Sequence, residues 1–403
     1  MTPLFRKFLG INWILVLTMY GLLIFGIFSI HAAGWTRDEA HLQLLWNRQV
    51  IMIAIGTVFF FTAALIDYRW LVWISVPFYL FGIGLLIALR IPGFGVEKSG
   101  AVSWLQIGTF TFQPSQIAIA SGIILFAVIL GKLHNVHKIF RNHFLRLALA
   151  GLVMAPPFFL VLTESDIGSA AVWLPVLASM LLIGSIPFRY LISLILVGTM
   201  IIPVVYFFVL KDYQKARIDT YIKIVSGKEY DERGDGWVPK HLQIAIGSGG
   251  WKGKGYKTER SVSNTWLPKD VVINDFIFAP VAEEHGFRGA MLLISGLAFL
   301  ILQALFVAFY ARDQFGRLLI IGIVALIFTH CFMNIGMNIN LVPITGLPLP
   351  FVSYGGTFTV IVMFLLGVVQ SVWVHRDIRV KEEPAPNEPA SFNPGGLSVL
   401  QRS

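Results

Sequence analysis

Asp275 stands where a 64-residue hydrophilic stretch, 211–274, turns back into apolar sequence, inside Asn274-Asp275-Phe276-Ile277-Phe278. A carboxylate flanked by aromatic groups at a membrane boundary loses hydration and holds its proton more tightly than in water. A general base that must take a proton and later release it needs that property. The same residue could instead cap the backbone amides of a helix, and residue chemistry alone leaves both readings open.

Other segments carry polar chemistry at similar boundaries. Glu164-Ser165-Asp166-Ile167-Gly168 sets two carboxylates between apolar spans, where an exposed short loop would also account for them. Ile246-Gly247-Ser248-Gly249-Gly250-Trp251-Lys252-Gly253-Lys254-Gly255 lies in the hydrophilic stretch, which has 12 Lys/Arg against 8 Asp/Glu. Glycines at this density let backbone amides approach an anion, although they also make plain connectors. Residues 341–356 hold three prolines and three glycines in apolar text and cannot make a straight helix. Non-helical backbone at membrane depth persists only when buried in protein or lining a wet cavity, so this segment is expected to re-enter and wall a cleft. Asn334 and Asn338 share a helical face ahead of it, by their spacing, and helix–helix adhesion is their simplest role.

The elements that hold these residues are membrane helices. The chain is 56% hydrophobic and 13% charged, with a mean hydropathy of +0.74, against about a quarter charged in soluble proteins. Apolar spans occur at 11–30, 50–66, 70–89, 114–131, 147–163, 170–188, 190–210, 289–311, 318–340 and 357–374. Each can cross ~30 Å of hydrocarbon as a helix. The expected fold is therefore an all-α integral membrane protein of about ten transmembrane helices. A membrane domain over 1–381 would carry the long loop 211–274 and the re-entrant segment 341–356. Residues 382–403, rich in Pro, Glu, Asn and Ser, read as a disordered cytoplasmic tail.

Lys and Arg concentrate in alternate connections, including Arg6, Lys7, Lys132, Lys138, Arg141, Arg146, Arg312 and Arg317. That asymmetry places both termini in the cytoplasm and the long loop outside. The first span is too long for a cleaved signal and reads as a retained anchor. Cys331, the single cysteine, lies in an apolar span, so no disulfide framework supports the loop. The sequence carries no nucleotide-binding glycine pattern, no metal-ligand cluster, and nothing that points to nucleic acid.

The chain resembles the SEDS family (shape, elongation, division and sporulation) of membrane glycosyltransferases that polymerise peptidoglycan. The resemblance is carried by 104–115, Asp166-Ile167-Gly168, Lys211-Asp212-Tyr213-Gln214-Lys215-Ala216-Arg217-Ile218, 245–255, 275–286 and 343–356. Thr345 before Gly346, Asn334-Ile335-Gly336-Met337 and the Lys211 segment are similar to the elongation, RodA-like branch. It implies attack of a GlcNAc 4-hydroxyl on the anomeric carbon of a lipid-linked MurNAc, inverting an α linkage to β-1,4. Diphosphate is a good leaving group, so one carboxylate could suffice where a glycosidase needs two. Lys, Arg or a divalent cation (Mg or Mn) would then meet the diphosphate charge.

On this resemblance Asp275 is the catalytic base. Trp104, Gln113, Asp166 and Arg217 become candidate substrate contacts, with Lys252, Lys254, Glu283 and Ser353. Glu283 and Glu284 follow Asp275 off its helical face, and read as structural or cleft-lining rather than as a second base. The partners implied are lipid II in the membrane, a class B penicillin-binding protein and the elongation machinery.

The chain also departs from the family. Gln116 and Ile119 stand where a Glu and a Lys are usual, a pair that can be lost only together without stranding a charge. Glu164-Ser165 replaces Gln-Pro, and the approach to Asp275 is two residues longer, without the usual His. A lipid II flippase would use the same cleft with carboxylates that gate rather than react. A proton-coupled transporter would use Asp166 or Glu283 as a relay, and His330 is the main polar residue deep in a span.

Overall fold

The computed structural model describes residues 7–35, 42, 44–98, 101–107, 110–164, 166–184, 186–208, 210–257 and 261–376. The segment 382–403, expected to be a disordered tail, lies outside them. Apolar text becomes helix because each N–H and C=O in hydrocarbon needs a partner within its own segment. The helices are α1 (Trp13–Trp35), α2 (Leu45–Leu65), α3 (Leu71–Ala88), α4 (Pro114–Gly131), α5 (His143–Thr163) and α6 (Ile167–Ile183). Then come α7 (Phe188–Phe208), α8 (Asp212–Val225), α9 (Trp237–Gly249), α10 (Phe278–Phe309), α11 (Gln314–Asn338) and α12 (Gly356–Val374). Among the described residues nine helices are long and apolar enough to cross a membrane, and α6 is a shorter apolar helix of 17 residues. Together they correspond to the ten expected spans. The chain is a multi-pass membrane protein.

α4 is the axis of the bundle. Every residue of it except Ile117 and Val128 is buried, as expected of a helix apolar on all sides. Small residues let neighbours close on it. A Cβ at Gly122 would lie 2.5 Å from the Trp173 ring of α6, and one at Gly82 of α3 3.0 Å from Ala118. α11 packs against both α4 and α6, while α12 runs along α2. α7 lies at the rim, its apolar side chains Leu196, Met200, Phe207 and Phe208 facing outward.

Between α3 and α4 the chain forms a three-stranded antiparallel sheet, β1 (Gly95–Lys98), β2 (Ala101–Ile107) and β3 (Phe110–Phe112). Trp104 pairs with Val96 across it and so belongs to a strand. Ser103 and Leu105 point the other way and are buried, an alternation visible in the sequence but too short to stand out beside the spans.

The glycine-rich stretch has a packing role. α10 breaks at Gly286 (φ 65°, ψ −167°), leaving a short helix over 278–285 ahead of the long one. The break frees carbonyls, and the loop satisfies them: Lys254 N–H donates to Glu283 O and Gly255 N–H to Glu284 O, both at 3.0 Å. Phe287 N–H returns to Gly250 O at 2.8 Å. A Cβ at Gly253 would lie 2.1 Å from Glu284 O, so only glycine allows the backbones to cross here. The amides expected to be available to an anion are spent inside the protein.

Candidate active site

Three segments distant in sequence meet around the non-helical stretch that follows α11. Residues 341–355 form no helix, and Leu347, Leu349, Phe351, Val352 and Ser353 are buried. On one side a Cβ at Gly168 would sit 2.4 Å from Thr345 O, which puts the start of α6 against this backbone. On the other, a Cβ at Gly346 (φ +71°) would lie 3.3 Å from Asp275 Oδ2. The Gly346 position faces the Asp275 carboxylate, and its left-handed backbone suits glycine.

Asn334 of α11 joins these parts. Its Nδ2 donates at 2.7 Å both to Asp275 O and to Leu347 O, while Asn338 Nδ2 donates at 2.8 Å to Asn334 O. The two asparagines do share a face, but Asn334 grips loop backbone rather than another membrane helix. Tyr354 N–H adds a bond to Ile273 O at 3.1 Å. Asn334→Ala leaves two carbonyls short of a donor, at ~1–3 kcal/mol for each that stays buried. We expect a lowered Tm and a loss of at least tenfold in transfer rate; equal rates for variant and parent in a purified assay would show that the clamp is dispensable.

Asp275 and Asp166 are two acids in different surroundings. Asp166 caps α6: its Oδ1 accepts from Ser169 N–H at 2.9 Å and its Oδ2 from Gln113 Nε2 at 2.6 Å. Among the described residues no hydrogen bond reaches the Asp275 carboxylate, which stays partly exposed. Desolvation first, then the charge of Asp166, push Asp275 up to about 7, with Arg217 opposing. Asp166 is also raised by burial, and its donors counter the effect.

Arg217 of α8 lines a shallow groove with Tyr221, Asp235, Asn340 and Val342-Pro343-Ile344 of the non-helical stretch. Tyr221 OH donates to Leu341 O at 2.7 Å and closes one end. Arg217 opposes the rise of Asp275, and a cation acting on a carboxylate without hydrogen-bond donors among the described residues suits a reaction that moves a proton while negative charge departs.

Other expected contacts lie elsewhere. Glu283 is fully buried and accepts from Lys254 Nζ at 2.6 Å, Val262 N–H at 2.6 Å and Ser263 N–H at 2.9 Å. Glu283 and Lys254 are engaged with each other, and the pair ties the long loop to α10. Ser353 is likewise turned inward, its Oγ accepting from Leu349 N–H at 2.8 Å. Lys252 is exposed on the glycine turn and Trp104 half-buried in the sheet. Gln113, Asp166, Arg217 and Asp275 are the expected residues that come together.

Glu164 was read as a loop acid that exposure could explain, but it is buried, with neither carboxylate oxygen hydrogen-bonded among the described residues. Burial and Asp166 raise it to about 8 against the pull of Arg90. Gln116 and Ile119 border a small space with Ser115, Ser169, Val172 and His330, where no side chain but the histidine can carry charge. His330 stacks on Phe358 and meets Pro348 O through Nδ1 at 3.3 Å, the contacts of a packed polar residue. No group of three or more His, Cys, Asp or Glu is placed to hold a metal among the described residues.

A family model described as a cell cycle protein, of FtsW/RodA/SpoVE type, matches residues 9–378. The chain belongs to the FtsW/RodA/SpoVE family. "Peptidoglycan glycosyltransferase MrdB" of Escherichia coli (strain K12) is 29% identical over 367 residues, covering 91% of this chain and 94% of that protein. "Probable peptidoglycan glycosyltransferase FtsW" of Geobacter metallireducens is 30% identical over 364 residues, covering 89% and 93%. A solved chain from a peptidoglycan synthase complex that coordinates polymerisation and crosslinking shares the fold at TM-score 0.73 and 22% identity, covering 91% of this chain and 98% of its own. The rod shape determining protein RodA of Thermus thermophilus aligns at TM-score 0.64 and 22% identity, covering 92% and 98%. The FtsW/RodA/SpoVE match therefore spans helices α1 to α12, both acids and the non-helical stretch.

Proposed function

We propose that this FtsW/RodA/SpoVE member is a peptidoglycan glycosyltransferase that polymerises lipid II, with Asp275 as its general base. The observation that carries the assignment is a partly exposed carboxylate, free of hydrogen-bond donors among the described residues and raised to about 7, facing the Gly346 position of the non-helical stretch with the charge of Arg217 opposing the rise. Asp275 takes the proton of the acceptor GlcNAc 4-hydroxyl. The oxygen forms a bond to the anomeric carbon of the donor MurNAc, and the bond from that carbon to diphosphate breaks, its electron pair leaving with the diphosphate. One face is attacked as the opposite bond breaks, so α becomes β-1,4. Because diphosphate departs as a stable anion, no second carboxylate is needed to protonate it.

Arg217 meets charge that grows on the diphosphate. Each oxygen of Asp166 accepts from one N–H donor. A divalent cation would arrive with the diphosphate and neutralise part of its charge. The Lys and Arg asymmetry supports termini in the cytoplasm and loop 211–274 outside a bacterial inner membrane. Thr345 and the Lys211 segment favour the elongation branch, with a class B penicillin-binding protein supplying crosslinking beside the elongation machinery.

The test is polymerisation of lipid II by the purified chain with its transpeptidase partner, with products sized on gels. Wild type should give glycan chains, and Asp275→Asn and Asp275→Ala none. Chains of full length from both variants would remove Asp275 as base; lipid movement across liposomes with no polymer from wild type would favour a flippase.

A further inference from the structure

The unexplained feature of the site is the second acid. Asp166 is half-buried at the start of α6, and the groove of Arg217 is lined by other residues. Its two oxygens each accept from an N–H group, one from Ser169 and one from Gln113. That is the solvation of an anion; a protonated acid would leave one donor facing a hydroxyl. Gln113 Nε2 also lies 3.3 Å from Ser169 Oγ, so donors from two elements converge on one carboxylate. Gly168, two residues on, touches Thr345 O, and the Gly346 position faces Asp275 Oδ2. One stretch of backbone, Thr345-Gly346, therefore separates the start of α6 from the base.

We propose that Asp166 is a positioning residue for the transfer: its carboxylate, held by Gln113 Nε2 and Ser169 N–H, stands across the Thr345-Gly346 backbone from Asp275 and sets the electrostatic surroundings in which the base works. The inference rests on Asp275 being that base. An anion beside a second carboxylate opposes its ionisation, so the second holds a proton more firmly once it has one. Environments that drive two acids apart divide their roles, one staying charged and the other exchanging protons. The arrangement is consistent with the upward displacement of Asp275, to which Asp166 contributes after desolvation.

The charged groups nearby fit this division. Arg217 faces Asp275 and pulls the other way, so the affinity of the base reflects both neighbours. Glu164 faces Asp166, with Arg90 beyond it, and its own affinity of about 8 keeps it neutral near pH 7. Burial raises Asp166 as well, and the N–H groups of Ser169 and Gln113 counter that rise and favour its anion. Gln116 reaches Gln113 Oε1 at 3.5 Å and brings no charge to the cluster.

The experiment is the pH dependence of lipid II polymerisation by the full chain with its partner, for wild type, Asp166→Asn, Asp166→Glu and Gln113→Leu. Wild-type rate should climb through an acid limb near pH 7. Asp166→Asn removes the charge, so its limb should move down. For a displacement of about one unit, the variant keeps an about fivefold larger share of its own plateau rate at roughly pH 6. Gln113→Leu weakens the anion and should move the limb the same way, whereas Asp166→Glu should return it toward wild type. A purely structural role would lower the plateau and leave the midpoint in place.

Thermal unfolding of each purified variant identifies any that fails to fold, in which case Gln113→Leu alone decides. Limbs that coincide with wild type in every folded variant would overturn the inference. Asp275→Asn in the same series separates the two ideas: an inactive Asp275→Asn with an unmoved Asp166→Asn limb sinks Asp166 and keeps the base.

Discussion

Asp275→Asn should lose about a thousandfold or more of polymerisation rate and gain stability at the same time. General-base assistance contributes typically ~10²–10⁴-fold, and the amide cannot accept the hydroxyl proton. The stability gain follows from the direction of the proton affinity. Asp275 is raised to about 7 in the folded chain, against about 4 for a free carboxylate. Relative to the unfolded chain, folding favours the protonated form, so its contribution is full below pH ~4 and is lost as pH rises through about 7.

Asn carries no charge at any pH, so the variant's advantage grows across that window and is complete above it. With part of the side chain still solvated, ~2 kcal/mol is a reasonable size, or a few degrees in Tm at neutral pH. A residue that only capped a helix would behave otherwise: Asn caps as well as Asp, and activity and Tm would both be nearly unchanged. Rate measurements and thermal unfolding on one purified sample separate the readings. A variant that keeps its rate rules out the base, while one that loses both rate and stability points to a structural acid.

The sequence was most legible where a single physical constraint acts over many residues. A backbone in hydrocarbon must satisfy itself, so runs of apolar residues could be read directly as helices, and all ten expected spans have a counterpart. Asp275 was legible for a related reason, since a carboxylate at the edge of such a run needs an explanation. Residues whose roles depend on contacts between distant segments were harder. Asn334 and Asn338 showed their shared face through i, i+4 spacing, but nothing in that spacing says that Asn334 reaches Asp275 O and Leu347 O.

Glycine misled in a specific way. Density of glycine signals close approach without naming what approaches, and the anion expected beside 246–255 proved to be the protein's own carbonyls at Glu283 and Glu284. The break at Gly286 could not be inferred from apolar content, because 278–309 reads as apolar helix on both sides of it. Glu164 shows the reverse error. Two charges in a short connection look solvated, yet Glu164, at the end of α5, is covered. In each case the missing information was the identity of the neighbour.

Glu283→Ala is expected to unfasten the outer loop, with a loss of ~3–5 kcal/mol or more in stability. Glu283 is fully buried, and six donor contacts converge on it: Lys254 Nζ, Ser248 Oγ, Ser261 Oγ, Val262 N–H, and both N–H and Oγ of Ser263. Truncation removes the acceptor and leaves the donors in place, two of them backbone amides that cannot turn away. Each buried orphan costs ~1–3 kcal/mol, and the half-buried ammonium of Lys254 loses its counter-charge. The asymmetry within the pair is itself a test. Lys254→Met removes one donor of several and should cost only about 1 kcal/mol, since the carboxylate keeps the rest. Limited proteolysis should cut Glu283→Ala within 248–263 under conditions where wild type and Lys254→Met stay intact. The loop continues through Ile273, which accepts from Tyr354 N–H, to Asp275, so the alanine variant should also lose polymerisation. Unlike Asp275→Asn it would do so with a lower Tm. Full activity and an intact loop in Glu283→Ala would mean that the cage around this acid is not what holds the loop over the site.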